Sequence, residues 1–230
     1  MSKLAFIFPG QGAQKAGMGK DFYENSEAAR SFFDQAQKIL DFDLKEMCFG
    51  EHEELNLTEY TQPCMVSVCL AIVQELKKRG INPDITAGLS LGEYAAVAAA
   101  GGMNELDAIK LVRRRGILMQ STVPAGEGAM AAVLGLDAKK IEEILESFEN
   151  VWIANYNCPG QIVITGLTNE VQQASLALKE AGAKRVVELK VSGPFHSLLL
   201  KPAGEALLKE MESMSFSPLQ VPYVANATAE

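Results

Sequence analysis

A serine stands between two glycines where a strand-like segment gives way to a helix-like one. Ser90 is the central residue of a Gly-x-Ser-x-Gly pattern over residues 88–92. A short apolar run precedes it, and small helix-forming residues follow from 93 to 100. A serine on a sharp strand-to-helix turn is the geometry of a nucleophile elbow. The pattern therefore predicts a catalytic Ser90, and an ordinary glycine-serine turn is the alternative.

The residues flanking Ser90 would complete such an elbow. Gly88 and Gly92 are expected because a Cβ atom at either position would clash in so tight a turn. The Leu91 amide falls at the start of the following helix, where free N–H groups and the helix dipole favour negative charge. We expect this amide to bind the oxyanion of an acyl transfer.

A serine hydroxyl needs a base within hydrogen-bond reach, and histidine is the usual one. The chain has two histidines. His52 lies in an acidic loop, which favours a solvated position. His196 follows a glycine and a proline at the junction of two predicted domains, and such junctions favour ligand sites. His196 is the predicted base, with a structural histidine as the alternative. Because no acidic residue stands out as a third member, a Ser-His dyad is expected.

Two glutamines are candidates for the same site. Gln11 lies between two glycines after the first predicted strand, where α/β sheets bind ligands. The dinucleotide fingerprint is incomplete, because Lys15 stands where a third glycine or alanine is needed. The Gln11 amide is therefore predicted as a second oxyanion donor, with a simple turn as the alternative. Gln62 precedes Pro63, which is expected in the first turn of a helix, and could face the cleft.

Three consecutive arginines lie in a predicted helix over residues 104–122. A helix turns by about 100° per residue, which separates their side chains. Arg114 falls on the polar face, Arg113 at its boundary and Arg115 on the apolar arc. A buried guanidinium needs a carboxylate partner. For Arg115 this partner is either an acidic residue of the protein or the carboxylate of a substrate.

Composition narrows the function classes. The 230 residues are 48% hydrophobic and carry a net charge of −8, so a nucleic-acid partner is not expected. There is no apolar run of about 18 residues and no signal-peptide pattern, so we expect a cytoplasmic protein without membrane contact. The four cysteines form no Cys-x-x-Cys pair, so no metal site and free buried thiols are expected.

The order of elements predicts an α/β fold with two domains. Strands and helices alternate in the first half, which indicates a parallel sheet. Residues 127–193 follow the order βαββαβ of a ferredoxin-like subdomain. This subdomain is predicted to be inserted in a larger domain formed by 1–126 and 194–230. Because only one strand follows the insert, the C-terminal part of the larger domain is expected to be missing from a truncated chain.

These stretches together resemble the malonyl-CoA:acyl carrier protein transacylases, including the acyltransferase domains of polyketide synthases. The resemblance extends over nearly the whole chain, in the family's order. The matching stretches are residues 8–14, 61–63, 88–94, 113–116, 155–161 and 193–197. Family members often have histidine where this chain has Leu89, a change that leaves the nucleophile in place.

The resemblance implies a fold, a reaction and roles for residues. It implies a hydrolase-like α/β core and the transfer of malonyl from malonyl-CoA to acyl carrier protein by a monomer without cofactors. The implied roles are nucleophile for Ser90, base for His196, oxyanion donors for the Leu91 and Gln11 amides, malonyl-carboxylate anchor for Arg115 and acyl-pocket residue for Gln62.

The acidic carrier protein calls for a local basic surface on this acidic chain. The candidates cluster in sequence around His196; they are Lys184, Arg185, Lys190 and Lys201. Two other functions stay open at this point. A serine esterase or thioesterase would give the acyl group to water, and a truncated chain would act only as a binding module.

Overall fold

The computed structural model describes residues 3–124, 126–189, 191 and 193–230. The chain divides into two compact units, Met1–Ile117 with Leu207–Glu230, and Leu118–Ala206. The helices are α1 Lys20–Asn25, α2 Glu27–Gln37, α3 Leu44–Phe49, α4 Thr58–Lys78, α5 Leu91–Ala99, α6 Glu105–Thr122, α7 Ala138–Leu145, α8 Thr168–Glu180 and α9 Lys201–Glu212. The strands are β1 Ala5–Phe8, β2 Ile85–Gly88, β3 Gly128–Leu134, β4 Val151–Cys158, β5 Gln161–Leu167, β6 Arg185–Glu188 and β7 Tyr223–Val224.

The first unit is built on a parallel sheet with strand order β1-β2-β7. Phe8 at the end of β1 pairs with Gly88 at the end of β2. The loop after β1 and the turn after β2 therefore leave the sheet at the same carboxyl edge, where α/β folds bind their ligands. The α/β class with a parallel sheet, predicted from the alternation of elements, is confirmed.

The helical region between residues 20 and 37 is interrupted and forms two helices, α1 and α2. Ser26 interrupts it in an extended conformation with φ −124°, and its side chain accepts a hydrogen bond from the Ala29 amide at 3.1 Å. Serine competes with the helical backbone in this way and is a preferred N-cap. The buried Ser26 hydroxyl also donates to Glu75, and this hydrogen bond is the main reason that the pKa of Glu75 is lowered.

Helix α4 begins at Thr58, so the prediction that Pro63 lies in its first turn is wrong. Pro63 has no N–H group for the Glu59 carbonyl one turn earlier. The Arg113 guanidinium supplies the missing donor, because its Nη1 lies 2.8 Å from the Glu59 carbonyl oxygen. A proline is tolerated inside this helix because another side chain satisfies the released acceptor.

Arg113 joins three segments of the first unit. Its side chain is 11% exposed and packs against the rings of both Phe42 and Tyr60, with its Cζ 5.2 and 4.9 Å from their centroids. Its Nε and Nη2 each donate to Asp41 at 2.9 Å, and Nη1 also pairs with the Glu59 carboxylate at 3.1 Å. The structural ion pair considered for Arg115 is therefore formed by Arg113, which helix-face counting placed only at the boundary.

The second unit contains an antiparallel sheet with strand order β4-β5-β3-β6, and α7 and α8 pack on it. The compact unit extends beyond the predicted boundaries at 126/127 and 193/194. The reason is a second apolar cluster, in which Phe195 and Met119 pack with Met130 and Val163 of the sheet.

Among the helices of the described residues, none combines the length and the apolar composition that a membrane span requires.

The Asp41–Arg113 pair predicts a pH-dependent contribution to stability. Hydrogen bonding to Arg113 lowers the pKa of Asp41. A carboxyl group with a lowered folded-state pKa stabilises the fold above its unfolded pKa of about 3.9, and this contribution is lost as the pH falls through the folded-state value. We expect Asp41→Asn to lower the free energy of unfolding by about 1 kcal/mol at pH 7, a value discounted because the carboxylate is largely exposed.

Urea denaturation at pH 7 and pH 3 measures this difference. Glu205→Gln is the control, since Glu205 is an exposed carboxylate that lies 3.9 Å from Lys201 on its own helix. We expect a smaller change for the control and a gap between wild type and Asp41→Asn that narrows at pH 3. A gap of equal size at both pH values would show that the charge of Asp41 is not responsible.

Candidate active site

Ser90 occupies a strained turn between β2 and α5. Its backbone angles are φ 50° and ψ −100°, a region that residues with a side chain rarely adopt. Such a conformation costs about 1–3 kcal/mol and persists only where the surroundings enforce it. The strand, sharp turn and helix predicted around Ser90 are present. The structure thus has the local geometry that holds a serine hydroxyl away from its own backbone.

Two close backbone approaches require glycine on either side of this turn. A Cβ atom on Gly88 would lie 2.1 Å from the carbonyl carbon and oxygen of Gly92. A Cβ atom on Gly92 would lie 2.3 Å from the carbonyl oxygen of Phe8. Neither glycine has a positive φ, so the requirement is for space rather than for an unusual conformation. The predicted clash at both positions is confirmed.

The Leu91 amide lies at the first position of α5, where no preceding turn of helix can accept a hydrogen bond from it. The Leu91 side chain is 1% exposed, whereas that of Leu89 is 51% exposed. The apolar anchor therefore fixes the start of the helix while the amide stays available at the positive end of the helix dipole.

The loop after β1 adjoins this turn. Gly10 packs against Leu89, because a Cβ atom on Gly10 would lie 2.9 Å from the Leu89 carbonyl oxygen. The Leu89 amide donates to the Phe8 carbonyl at 3.1 Å. The Gln11 side chain is anchored at the start of α4, where its Nε2 donates to the Thr58 hydroxyl at 3.2 Å. The structure therefore places Gln11 at the same sheet edge as Ser90.

Arg115 lies beside the helix that carries the serine. Its Cζ is 5.4 Å from the centroid of the Tyr94 ring, and Tyr94 follows Ser90 by one helical turn on α5. The side chain is half-buried. Its two neighbours are engaged, Arg113 with Asp41 and Arg114 with Glu210. Within the described ranges Arg115 forms no ion pair with an acidic side chain, which leaves a cation free for an anionic group.

Gln62 and His52 lie elsewhere in the first unit. Gln62 is fully buried within α4, so its side chain is a fixed part of the interior. Its role in an acyl pocket stays a prediction. His52 pairs with Glu46 of α3 at 3.0 Å, in a polar, partly exposed segment as expected.

His196 belongs to the second unit. It is exposed and has a left-handed backbone with φ 60°. The turn that carries it is fixed to β3, because Pro194 packs so closely on Gly128 that a Cβ there would lie 2.2 Å from the proline Cδ. The Ser197 hydroxyl donates to the Pro194 carbonyl at 2.7 Å. The backbone at His196 is thus held in one conformation, and its pairing with Ser90 stays a prediction.

Cys64 and Cys69 are poor competitors for a nucleophilic role. Burial raises the pKa of Cys69 to about 11 and also raises that of Cys64, and a protonated thiol is a weak nucleophile. Cys48 is buried as well, but Cys158 is exposed, so the expectation of four buried thiols is wrong there. Cys158 lies at the end of β4, beside the turn to β5, where the chain is open to solvent.

Sequence reasoning missed two residues that contact the elbow region. Tyr94 supports Arg115, and its spacing of four residues from Ser90 could have indicated the shared helix face. Asn226 hydrogen-bonds to the backbone of both Gly88 and Ser90. Only its position shortly after the last predicted strand pointed to that edge of the sheet, which is too weak a signal to assign a contact.

The glycine contacts predict a sharp asymmetry between two Gly→Ala substitutions. Gly88→Ala places a methyl group against the Gly92 backbone, so we expect it to abolish labelling of Ser90 by a serine-directed sulfonyl fluoride. Gly204→Ala in α9 is the control, because nothing lies within 4 Å of its Cβ position. This exposed helical site should gain about 0.5–1 kcal/mol of stability. Normal labelling of Gly88→Ala would contradict the steric account of the elbow.

Comparison with known proteins assigns the family. The sequence model described as the acyl transferase domain matches residues 5–230. The malonyl CoA-acyl carrier protein transacylase of Bacillus subtilis is 47% identical over 235 residues, which cover all of this chain and 74% of that protein. An acyl carrier protein S-malonyltransferase from Vibrio cholerae superimposes with a TM-score of 0.94 at 40% identity, covering 100% of this chain and 76% of that one.

A third relative was solved with a partner. A malonyl-transacylase in complex with its type II polyketide synthase acyl carrier protein superimposes with a TM-score of 0.95 at 39% identity, covering 100% of this chain and 76% of that one. The match of the family model over nearly the whole chain agrees with the serine elbow described above. The chain therefore belongs to the acyl transferase family, and it is an acyltransferase.

Proposed function

We propose that this acyltransferase moves a malonyl group from malonyl-CoA to the phosphopantetheine thiol of acyl carrier protein through a malonyl ester of Ser90. The observation that carries the proposal is the strained Ser90 at the start of α5, with the Arg115 guanidinium beside the same helix. The names of the related proteins support the choice of substrate and acceptor. Both steps are nucleophilic acyl transfers, so the proposal includes no cofactor or metal.

In the first step, the Ser90 hydroxyl attacks the thioester carbonyl while His196 takes the hydroxyl proton. The negative charge that develops on the carbonyl oxygen is stabilised by the Leu91 and Gln11 amides. The carbon–sulfur bond then breaks, and the coenzyme A thiolate leaves with the proton that His196 returns. The products are free coenzyme A and malonyl-Ser90.

In the second step, the phosphopantetheine thiol attacks the ester. His196 takes the thiol proton, the same two amides bind the second oxyanion, and the ester bond breaks as the proton passes to the Ser90 oxygen. The enzyme returns to its starting state, and the order of events is ping-pong. His196 is the proposed base because the other histidine, His52, is engaged with Glu46 on the surface.

Arg115 is the proposed selectivity residue. A guanidinium pairs with a carboxylate through two parallel hydrogen bonds, and malonyl is an acyl group with a free carboxylate. Contact with Tyr94 limits the orientations of the guanidinium. An acyl group without a carboxylate would leave this half-buried cation unpaired, which is a strong basis for discrimination. Gln62 is proposed to shape the acyl pocket from the interior side of α4.

The second unit supplies two further proposals. Its sheet order and its order of elements support a ferredoxin-like subdomain inserted in the sequence of a hydrolase-like domain. Its basic residues support a docking surface for an acidic carrier protein. Lys184 and Arg185 stand at the start of β6, and Lys201 begins α9, where it lies 3.9 Å from Glu205. Lys190, also predicted for this surface, lies outside the described residues.

We predict a covalent malonyl–enzyme intermediate whose malonyl group passes to carrier protein. After incubation with malonyl-CoA, intact-mass measurement should show a malonyl adduct, and peptide mapping should place it on Ser90. On addition of carrier protein, labelled malonyl should appear on the phosphopantetheine. Ser90→Ala should form no adduct.

Two outcomes would contradict the proposal. Label that appears as free malonate while the carrier protein stays unlabelled would indicate a thioesterase. An adduct that persists in Ser90→Ala would place the nucleophile elsewhere.

A substitution at Arg115 should change acyl selectivity. We expect Arg115→Ala to lower kcat/KM for malonyl-CoA by about 100-fold or more, since the charged hydrogen bonds of a half-buried guanidinium are lost. Transfer from acetyl-CoA should fall far less or rise. Arg114→Ala is the matched control, because Arg114 is exposed and paired with Glu210. Steady-state kinetics with both substrates measure the change, and an equal loss on both would remove Arg115 from the selectivity role.

A further inference from the structure

We infer that Asn226 is a positioning residue for the nucleophile, and that its carboxamide holds Ser90 in the strained conformation that acyl transfer uses. This inference rests on the proposed role of Ser90 and extends it to a residue outside the Gly-x-Ser-x-Gly segment. Asn226 follows Ser90 by 136 residues in the chain, and both belong to the first compact unit.

The contacts of Asn226 bracket the serine. The Ser90 amide donates to Asn226 Oδ1 at 2.6 Å, and Asn226 Nδ2 donates to the Gly88 carbonyl at 2.5 Å. One carboxamide therefore binds the backbone on both sides of Leu89. The Asn226 backbone amide donates in turn to the Glu93 carboxylate at 2.9 Å, which ties the asparagine to the first turn of α5.

The sheet explains why an asparagine is suited to this position. The ladder between β2 and β7 ends at the pair Ala87 and Val224. Beyond this pair β2 bends into the elbow, so its polar groups no longer face a continuing strand. Like a peptide group, the Asn226 carboxamide has a carbonyl oxygen that accepts hydrogen bonds and a nitrogen that donates them. It hydrogen-bonds to the elbow where the next peptide of the ladder would have been.

The strain at Ser90 gives this contact a function. A residue at φ 50° and ψ −100° relaxes unless its surroundings hold it. The two glycine contacts leave room for the turn, but they do not bind the Ser90 amide. The Asn226 side chain binds this amide through a hydrogen bond. It also occupies the Ser90 amide, so the neighbouring Leu91 amide is the one left for an oxyanion.

A substitution at Asn226 tests the positioning of Ser90 without disturbing the packing of the apolar core. Its side chain is exposed, so truncation creates no cavity in the apolar core. We therefore expect Asn226→Ala to keep the fold, with a thermal midpoint within about 4 °C of the wild type, and to misplace the Ser90 hydroxyl. A small displacement of a reacting group lowers its reaction rate by about 10- to 100-fold.

The test measures the reactivity of Ser90 with two reagents in the intact protein. The first is malonyl-CoA, followed by intact mass for the rate of adduct formation. The second is phenylmethylsulfonyl fluoride, which labels an activated serine without any malonyl or coenzyme A contact. We expect Asn226→Ala to react about 10- to 100-fold more slowly with both, and KM for malonyl-CoA to stay within about threefold. Asn25→Ala is the control, since Asn25 only hydrogen-bonds to the Asp21 carbonyl.

Asn226→Asp adds a readout that a purely structural role would not move. An ionised aspartate keeps the acceptor for Ser90 but loses the donor for Gly88, and a protonated one has both. The labelling rate of Asn226→Asp relative to wild type should therefore rise as the pH is lowered from 7 to 4, toward the ordinary aspartate pKa of about 3.9, whereas the ratio for Asn226→Ala should stay constant.

Labelling of a folded Asn226→Ala at the wild-type rate would overturn the inference, as would an Asn226→Asp ratio that does not change with pH. If Asn226→Ala does not fold, the pH dependence of Asn226→Asp decides the question. Failure of the proposed function gives a different result. Wild type would then react with the sulfonyl fluoride but accept no malonyl from malonyl-CoA, and the comparison of the Asn226 variants with wild type would still hold.

Discussion

Contact between backbone segments that carry no side-chain atoms shapes the region around Ser90. Gly88 lies against Gly92, and Gly92 lies against the Phe8 carbonyl, at distances that a single added carbon would not allow. These approaches let β2 turn into α5 without an intervening loop, and they bring the end of β1 to the same place. The exposed start of α5 and the neighbouring Gln11 loop follow from this packing, which also leaves room for the positive φ of the serine.

The charged groups of the first unit divide into structural and available ones. Arg113 donates from all three of its side-chain nitrogens to Asp41 and Glu59 and supports an interior proline, so it belongs to the architecture. Arg115, two residues along the same helix, contacts an aromatic ring and has no acidic side chain paired with it in the described part of the chain. A half-buried cation of this kind is retained at a cost to stability, and a bound carboxylate would offset that cost.

Much of this arrangement could be predicted from the sequence. The elbow, its glycines and the parallel sheet follow from short-range patterns in which each residue type has a steric reason. Predictions failed where distant residues decide the outcome. Pro63 lies inside α4 because Arg113 donates to the Glu59 carbonyl, and Asn226 reaches the elbow from the far end of the sequence. Periodicity carries no information about such partners.

We expect a malonyl group on Ser90 to meet the amides of Leu91 and Gln11 at its carbonyl oxygen and Arg115 at its carboxylate. A crystal structure of the malonyl-serine enzyme, trapped by soaking with malonyl-CoA in the absence of acceptor, measures these distances directly. We predict that the carbonyl oxygen of the ester lies about 3 Å from both amide nitrogens and that the malonyl carboxylate is bound by the Arg115 guanidinium. A carbonyl oxygen directed to solvent, or a carboxylate bound by another group, would contradict the account.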